Sequence, residues 1–200
     1  MKKMTQAEMD KTGWMLLSSG KAFLLADMQF DIEDIAWSLA KQCRYAGHVK
    51  RSVFYPVARH CVLIADWLYA KAIREGKTQA HARYIAWNGL MHDAPEHILS
   101  DIVRPMKVNL PQYYTLEETI AEAIGNYYDL AHPMLDEVKE ADNRILLDEK
   151  KQVMPVSPLP WGIEDVLDPL DVVIPPWISF LNDAEDFLKA ARKYSHVPLN

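Results

Sequence analysis

Apolar residues recur at three- and four-residue spacing through successive stretches of this chain, and that period constrains its fold more than any other feature. A side chain returns to the same helix face every 3.6 residues, so each stretch has one apolar stripe to bury against neighbouring helices. Ile35, Ala36, Leu39, Ala40 and Cys43 form a first stripe, and Val57, Cys61, Ile64, Ala65 and Leu68 a second. Ala82, Ile85, Ala86 and Leu90 form a third, Val138, Ala141 and Ile145 a fourth, and Leu181, Ala184, Phe187, Leu188 and Ala191 a fifth. Strand signals are confined to the start: Trp14 to Leu17, a turn at Ser18-Ser19-Gly20, and Phe23 to Leu25 as the returning strand. The expectation is an all-α helical bundle with a small N-terminal hairpin, forming one domain over 1–200.

Local punctuation divides the bundle. Asp31-Ile32-Glu33-Asp34 opens the first helix, where carboxylates meet the positive end of the helix dipole. Gly47 is read as its stop. A second helix begins near Pro56 and breaks at Glu75-Gly76-Lys77-Thr78; a third runs over 79–91. Pro95 opens a short helix from Glu96 to Leu99, 101–107 reads as loop, and 115–150 as two helices broken near His132-Pro133. The proline-rich segment 153–177, which carries Trp161 and Trp177, is expected to be ordered loop. A last helix covers 178–194, appended with that loop to a core of about 30–150.

The 200 residues match one domain in size, and the 50% that are hydrophobic suffice for a full core. A net charge of -6 argues against a surface for a nucleic-acid polymer, but leaves room for a small anionic substrate in a locally basic cleft. Cys43 and Cys61 do not make a disulfide framework and read as free thiols. No run is apolar enough for a signal peptide or a membrane span, so a cytoplasmic protein without a membrane partner is expected.

The chemistry centres on His92-Asp93. Adjacent side chains on a helix normally diverge, and a cation at that turn gives both a reason to converge. Asp93 follows a strongly apolar helix, where a bare carboxylate needs a partner. Glu96 lies one turn beyond His92 and puts a further carboxylate beside the same spot. His60 sits on the second apolar stripe, and Asp142 adjoins the stripe of Ile145, where a salt bridge with Arg144 or Lys139 is the ordinary alternative. Two imidazoles and two carboxylates suit one divalent transition metal, Mn, Co, Zn, Ni or Fe, ahead of Mg, which prefers an all-oxygen shell.

A helix histidine, a His-Asp doublet and a distant helix aspartate, here His60, His92-Asp93 and Asp142, resemble the HD-domain superfamily of metal-dependent phosphohydrolases. Arg44-Tyr45, the stretch from His92 to Glu96, Asp101-Ile102, Pro105-Met106-Lys107 and Ala141-Asp142 are similar to its 5′-deoxynucleotidase branch. Asp31 to Ala36 and Cys43 to His48 look especially like phage-encoded members, some of which dephosphorylate deoxyadenosine nucleotides including dATP. The resemblance covers roughly 14–150. It implies His60, His92, Asp93 and Asp142 as metal ligands and Glu96 as the catalytic carboxylate that handles the attacking water. It implies Arg44 and Lys107 as phosphate contacts, Asp101 as the contact to the sugar 3′-hydroxyl, and Tyr45 as a surface for the base, with Gly47 leaving room for a purine.

The substrate expected on this resemblance is a deoxynucleotide, leaning to dATP, dADP and dAMP, with broad dNMP hydrolysis as the alternative and a homo-oligomer as the assembly. A non-catalytic nucleotide sensor is a further class, but neither Glu96 nor a ligand is lost. A two-iron oxygenase would need extra histidines, and His97 follows Glu96 too closely. His48, Lys50, Arg51, Arg59 and Arg104 are candidate steering charges, and the Trp161 loop a candidate lid or packing element. Asp136, Glu140 and Asp148 read as solvated, and His81, His97, His132 and His196 as structural or exposed.

Overall fold

The computed structural model describes residues 13–199, and the reading of the extreme N-terminus, over 1–12, lies outside the described residues. Two short antiparallel strands come first, β1 (Trp14–Leu16) and β2 (Ala22–Leu24), with Met15 opposite Phe23. β1 is exposed, and Phe23 alone of these strands is buried. The hairpin is pinned to the first helix, α1 (Ile32–Lys41), by one carboxylate. Asp34 accepts from the Ser18 hydroxyl at 2.8 Å, the Ser19 amide at 2.8 Å and the Ser19 hydroxyl at 2.7 Å. Asp31 caps α1 by accepting from the Glu33 amide.

α1 ends at Lys41, earlier than the apolar spacing implies. The Gln42 carbonyl takes the Val57 amide and the Arg44 amide goes to the Tyr55 carbonyl, so 42–44 pairs as extended chain with 55–57. Cys43 therefore lies off the α1 stripe, in a bridge with Pro56, and Gly47 closes a separate turn of 3₁₀-helix, Tyr45–Gly47. Backbone pairing with a distant segment overrides local periodicity here.

α2 (Val57–Arg74) and α3 (Gln79–Met91) form the central antiparallel pair. Gly89 permits their close approach: a Cβ there would stand 2.6 Å from Leu68 Cδ1 and 3.2 Å from Ile64 Cγ2. The chain continues through α4 (Glu96–Leu99), α5 (Arg104–Lys107), α6 (Pro111–Tyr128) and α7 (Asp136–Gln152). α5 falls within the stretch read as loop; Pro105 is tolerated because it sits in the first turn, where its missing N–H costs nothing. α8 (Phe180–Tyr194) packs on α1, α2 and α3 through Ala184, Phe187, Ala191 and Tyr194. Leu181, expected inward, faces solvent. The described chain is thus mostly helical with one small hairpin, and no described helix is long and apolar enough to cross a membrane.

The proline-rich segment forms neither helix nor strand, so its backbone polar groups need outside partners. Side chains four residues apart on one face of α7 supply them. Arg144 donates to the Asp168 and Pro169 carbonyls, Asp148 accepts from the Leu170 amide at 2.8 Å, and Gln152 both donates to the Val172 carbonyl and accepts from the Ile174 amide. Asp148 is consequently buried, not solvated as its sequence context suggests. Arg59 is a second correction. It is buried against Asp183, at 2.6 Å, and donates to the Pro175 carbonyl, so it braces α8 and the proline-rich segment, here called the strap, instead of lying free as a steering charge.

Candidate metal centre and its cleft

Three elements bring the predicted ligands together. His60 lies in the first turn of α2 and is fully buried; His92 and Asp93 follow the last residue of α3; Asp142 sits in α7. His60 Nδ1 is 2.7 Å from Glu149 Oε1, and His92 Nδ1 is 2.8 Å from the Gly89 carbonyl. Each Nδ1 faces an acceptor, which places its proton there and leaves the lone pair on Nε2. The two Nε2 atoms lie 3.3 Å apart. Lone pairs facing each other at that distance require a cation or a proton between them.

Two carboxylates stand beside this pair. Asp93 Oδ2 is 3.3 Å from His92 Nε2 and 3.6 Å from His60 Nε2; Asp142 Oδ1 is 3.2 Å from His60 Nε2 and 3.8 Å from His92 Nε2. A tetrahedral ion with bonds of about 2.0–2.2 Å holds its donor atoms about 3.3–3.6 Å apart, close to these separations. The donor atoms of His60, His92 and Asp93 all lie within 4.8 Å of one another, and this group can hold a metal ion. Asp142 makes no salt bridge with the neighbours that could have explained it: Arg144 pairs with Glu140, and Lys139 with Asp136.

The cluster favours positive charge: beside Asp93 and Asp142 the His92 imidazole is pushed well above its usual range despite burial. Burial alone would raise both aspartates, but the imidazoles outweigh it and hold Asp93 and Asp142 well below the usual carboxylate range. Burial likewise opposes the Arg44 charge, and the carboxylates of Glu149 and Asp93 keep it protonated. Arg44 Nη1 is 3.2 Å from Asp93, and its Nε is 3.5 Å from Glu149.

Glu149 escaped the sequence reading of site residues. It is fully buried, orients His60, and accepts from the hydroxyls of Tyr45 and Tyr55, the latter at 2.9 Å. Arg44 and His60 hold its carboxyl below 4.5 despite burial. Its signal was present in the chain: Glu149 follows Asp142 by two helical turns on the face of Ile145. Tyr55 lies in an extended segment whose sequence carries no comparable sign.

A cleft of about 740 Å³ opens beside the centre, lined among others by Asp93, Glu96, Asp101, Lys107, Asp142 and Arg44. Glu96 is buried, its Oε2 has no hydrogen-bond partner, and burial together with the charges of Asp93 and Asp101 raises its carboxyl well above 4.5. Burial also raises Asp101. Lys107 is paired with Glu117 at 2.6 Å. Tyr45 lines the cleft with φ +59°, a left-handed conformation that costs energy for a residue with a side chain, and its ring centroid is 5.8 Å from that of Trp161. Of the candidate steering charges, His48 and Arg104 line the cleft, and Lys50 reaches the Gln152 carbonyl instead. His97 is buried with its ring on the Ala94 carbonyl, a structural role. Cys61 is buried, which pushes its thiol up to about 11, and Cys43 is also free.

Comparison with known proteins places the chain. It is 38% identical over 138 residues to the uncharacterized protein YfdR of Escherichia coli (strain K12), an overlap of 68% of this chain and 69% of YfdR. The chain belongs to the YfdR family. A second relative of similar extent is the uncharacterized protein RCAP_rcc00048 of Rhodobacter capsulatus, 31% identical over 138 residues, 66% of each chain. No protein-family model matches the sequence.

Proposed function

We propose that this chain is an HD-type, divalent-metal-dependent phosphohydrolase that removes phosphate from deoxynucleotides, with dATP and its lower phosphates as the favoured substrates. The observation that carries the reading is the facing pair of imidazole Nε2 atoms, 3.3 Å apart, with two carboxylates beside them and Glu96 unpartnered in the adjoining cleft. A divalent ion held by His60, His92, Asp93 and Asp142 would supply Lewis-acid chemistry, polarising a phosphoryl oxygen and acidifying an attacking water.

The chain's own groups do the rest. Glu96, whose buried Oε2 has no partner in the cleft, takes the proton of the attacking water and returns it to the leaving oxygen. Arg44 and Lys107 neutralise phosphate charge from opposite chain segments. Asp101 accepts from the sugar 3′-hydroxyl, and Tyr45 lies against the base. The test is a panel of dNMP, dNDP and dNTP substrates incubated with the purified protein and Mn²⁺ or Co²⁺, products separated by chromatography. Release of phosphate, pyrophosphate or triphosphate from deoxyadenosine nucleotides is expected. Turnover of all dNMPs alone would replace this with a broad 5′-deoxynucleotidase, and nucleotide binding without turnover would point to a sensor.

A further inference from the structure

We propose that the cleft holds its nucleotide in one direction along α7, with the base against Trp161 of the proline-rich strap and the phosphate chain toward Arg104. This rests on the deoxynucleotide reading above and adds residues that lie outside it.

The direction follows from what α7 anchors at each end of the cleft. Arg104 donates through both terminal nitrogens to Asn143 Oδ1, each at 3.3 Å, beside the metal-centre residue Asp142. Lys150, seven residues further on the same face, lies 5.5 Å from the Trp161 ring. Seven residues of helix rise about 10 Å, so Arg104 and Trp161 stand at opposite ends, with Leu146 lining the cleft between them. A nucleoside 5′-phosphate places a sugar between its flat base and its first phosphorus, and further phosphates extend away from the base.

Trp161 is built into position. Glu164 accepts from the Trp161 amide at 2.8 Å and from the Ile163 amide at 3.0 Å, and pairs with Lys150. The clamp roots the strap on α7 and sets the indole, tilted 46° to the Tyr45 ring, into the wall beside Met154 and Ile163. That end is aromatic and apolar, as a base requires. The cations that line the cleft are unequally committed. Arg44 is shared by Asp93 and Glu149, and Lys107 is matched by Glu117. Among the described residues Arg104 makes no ion pair, and one amide oxygen leaves much of its five-donor fork free for a phosphate beyond the first.

The test is calorimetric binding of dATP, dAMP and inorganic tripolyphosphate with Mn²⁺, in a Glu96→Gln background that leaves the ligands intact. Trp161→Ala is expected to weaken dATP and dAMP alike by about tenfold, with tripolyphosphate unchanged and with Trp161→Phe restoring most of the loss. Arg104→Gln is expected to weaken dATP and tripolyphosphate by about tenfold and to leave dAMP unchanged. Equal affinities in all variants, or the two patterns exchanged, overturn the direction. If that happens while the unmutated protein still hydrolyses dATP, the phosphohydrolase reading stands and only the orientation falls. If nothing binds and nothing is hydrolysed, both fall.

Discussion

His60 Nε2 and His92 Nε2 face each other at 3.3 Å, each ring fixed from behind by an acceptor on Nδ1. Glu149 sets the orientation of the His60 ring, so the proposed metal affinity is expected to depend on a residue outside the candidate ligand set. His92→Ala is expected to abolish stoichiometric uptake of Mn²⁺ or Co²⁺, read by elemental analysis after dialysis. Glu149→Gln, which removes the charge behind His60 and keeps its shape, is expected to weaken metal affinity about 10–100-fold. Unchanged affinity in Glu149→Gln, in a protein that still melts cooperatively, would show that His60 needs no such support.

On the proposed mechanism Glu96 acts in the chemistry and not in binding. Glu96→Gln is expected to lower kcat by about 10²–10⁴-fold while metal content and dATP affinity stay near the parent values. Parent-like turnover in this variant would remove Glu96 from the reaction.

Asp34 gives an acid-sensitive latch between the hairpin and α1. Burial alone would raise its carboxyl, but hydrogen bonds from the Ser19 hydroxyl and amide and from Ser18 outweigh it and hold it below 3.8. A depressed carboxyl stabilises the fold above its unfolded value and loses that contribution as pH falls through the folded value. Asp34→Asn is therefore expected to cost about 1–3 kcal/mol near neutral pH, and the gap from the parent should close below pH 3.8. Chemical denaturation at several pH values reads this, and a gap that stays constant into acid contradicts the latch.

Gly89 sets the distance between α2 and α3. Gly89→Ala drives a methyl to 2.6 Å from Leu68 Cδ1, and overpacking of this kind costs about 1–3 kcal/mol even though alanine favours helix. The displaced turn also carries the carbonyl that fixes His92, so weaker metal binding is expected to accompany the lower melting temperature. A variant as stable as the parent would mean the helices part freely there.

Much of this was legible in the residues. The helical period located α2 and α3 nearly to the residue, Asp31 and Pro95 marked the starts of α1 and α4, and the Ser18-Ser19-Gly20 turn marked the hairpin. Those signals are local: periodicity, caps and turn chemistry act within a few residues and need no distant partner. The rest required the tertiary structure. Chain order along 42–44 and 55–57 ended α1 early, because pairing across thirteen residues outweighed an apolar stripe. Arg59 and Asp148 looked like surface charges until α8 and the strap supplied partners that buried them.

The sequence by itself offered His60, His92, Asp93 and Asp142 as candidate ligands, through their residue types, their apolar helical settings and the family resemblance they carry. Only the tertiary structure decided that they do converge, that Glu149 stands behind His60, and that Trp161 and Arg104 line the same cleft. The physical reason is range: a helix repeats within a turn, whereas side chains 32 and 89 positions apart come together only when packed helices bring them there.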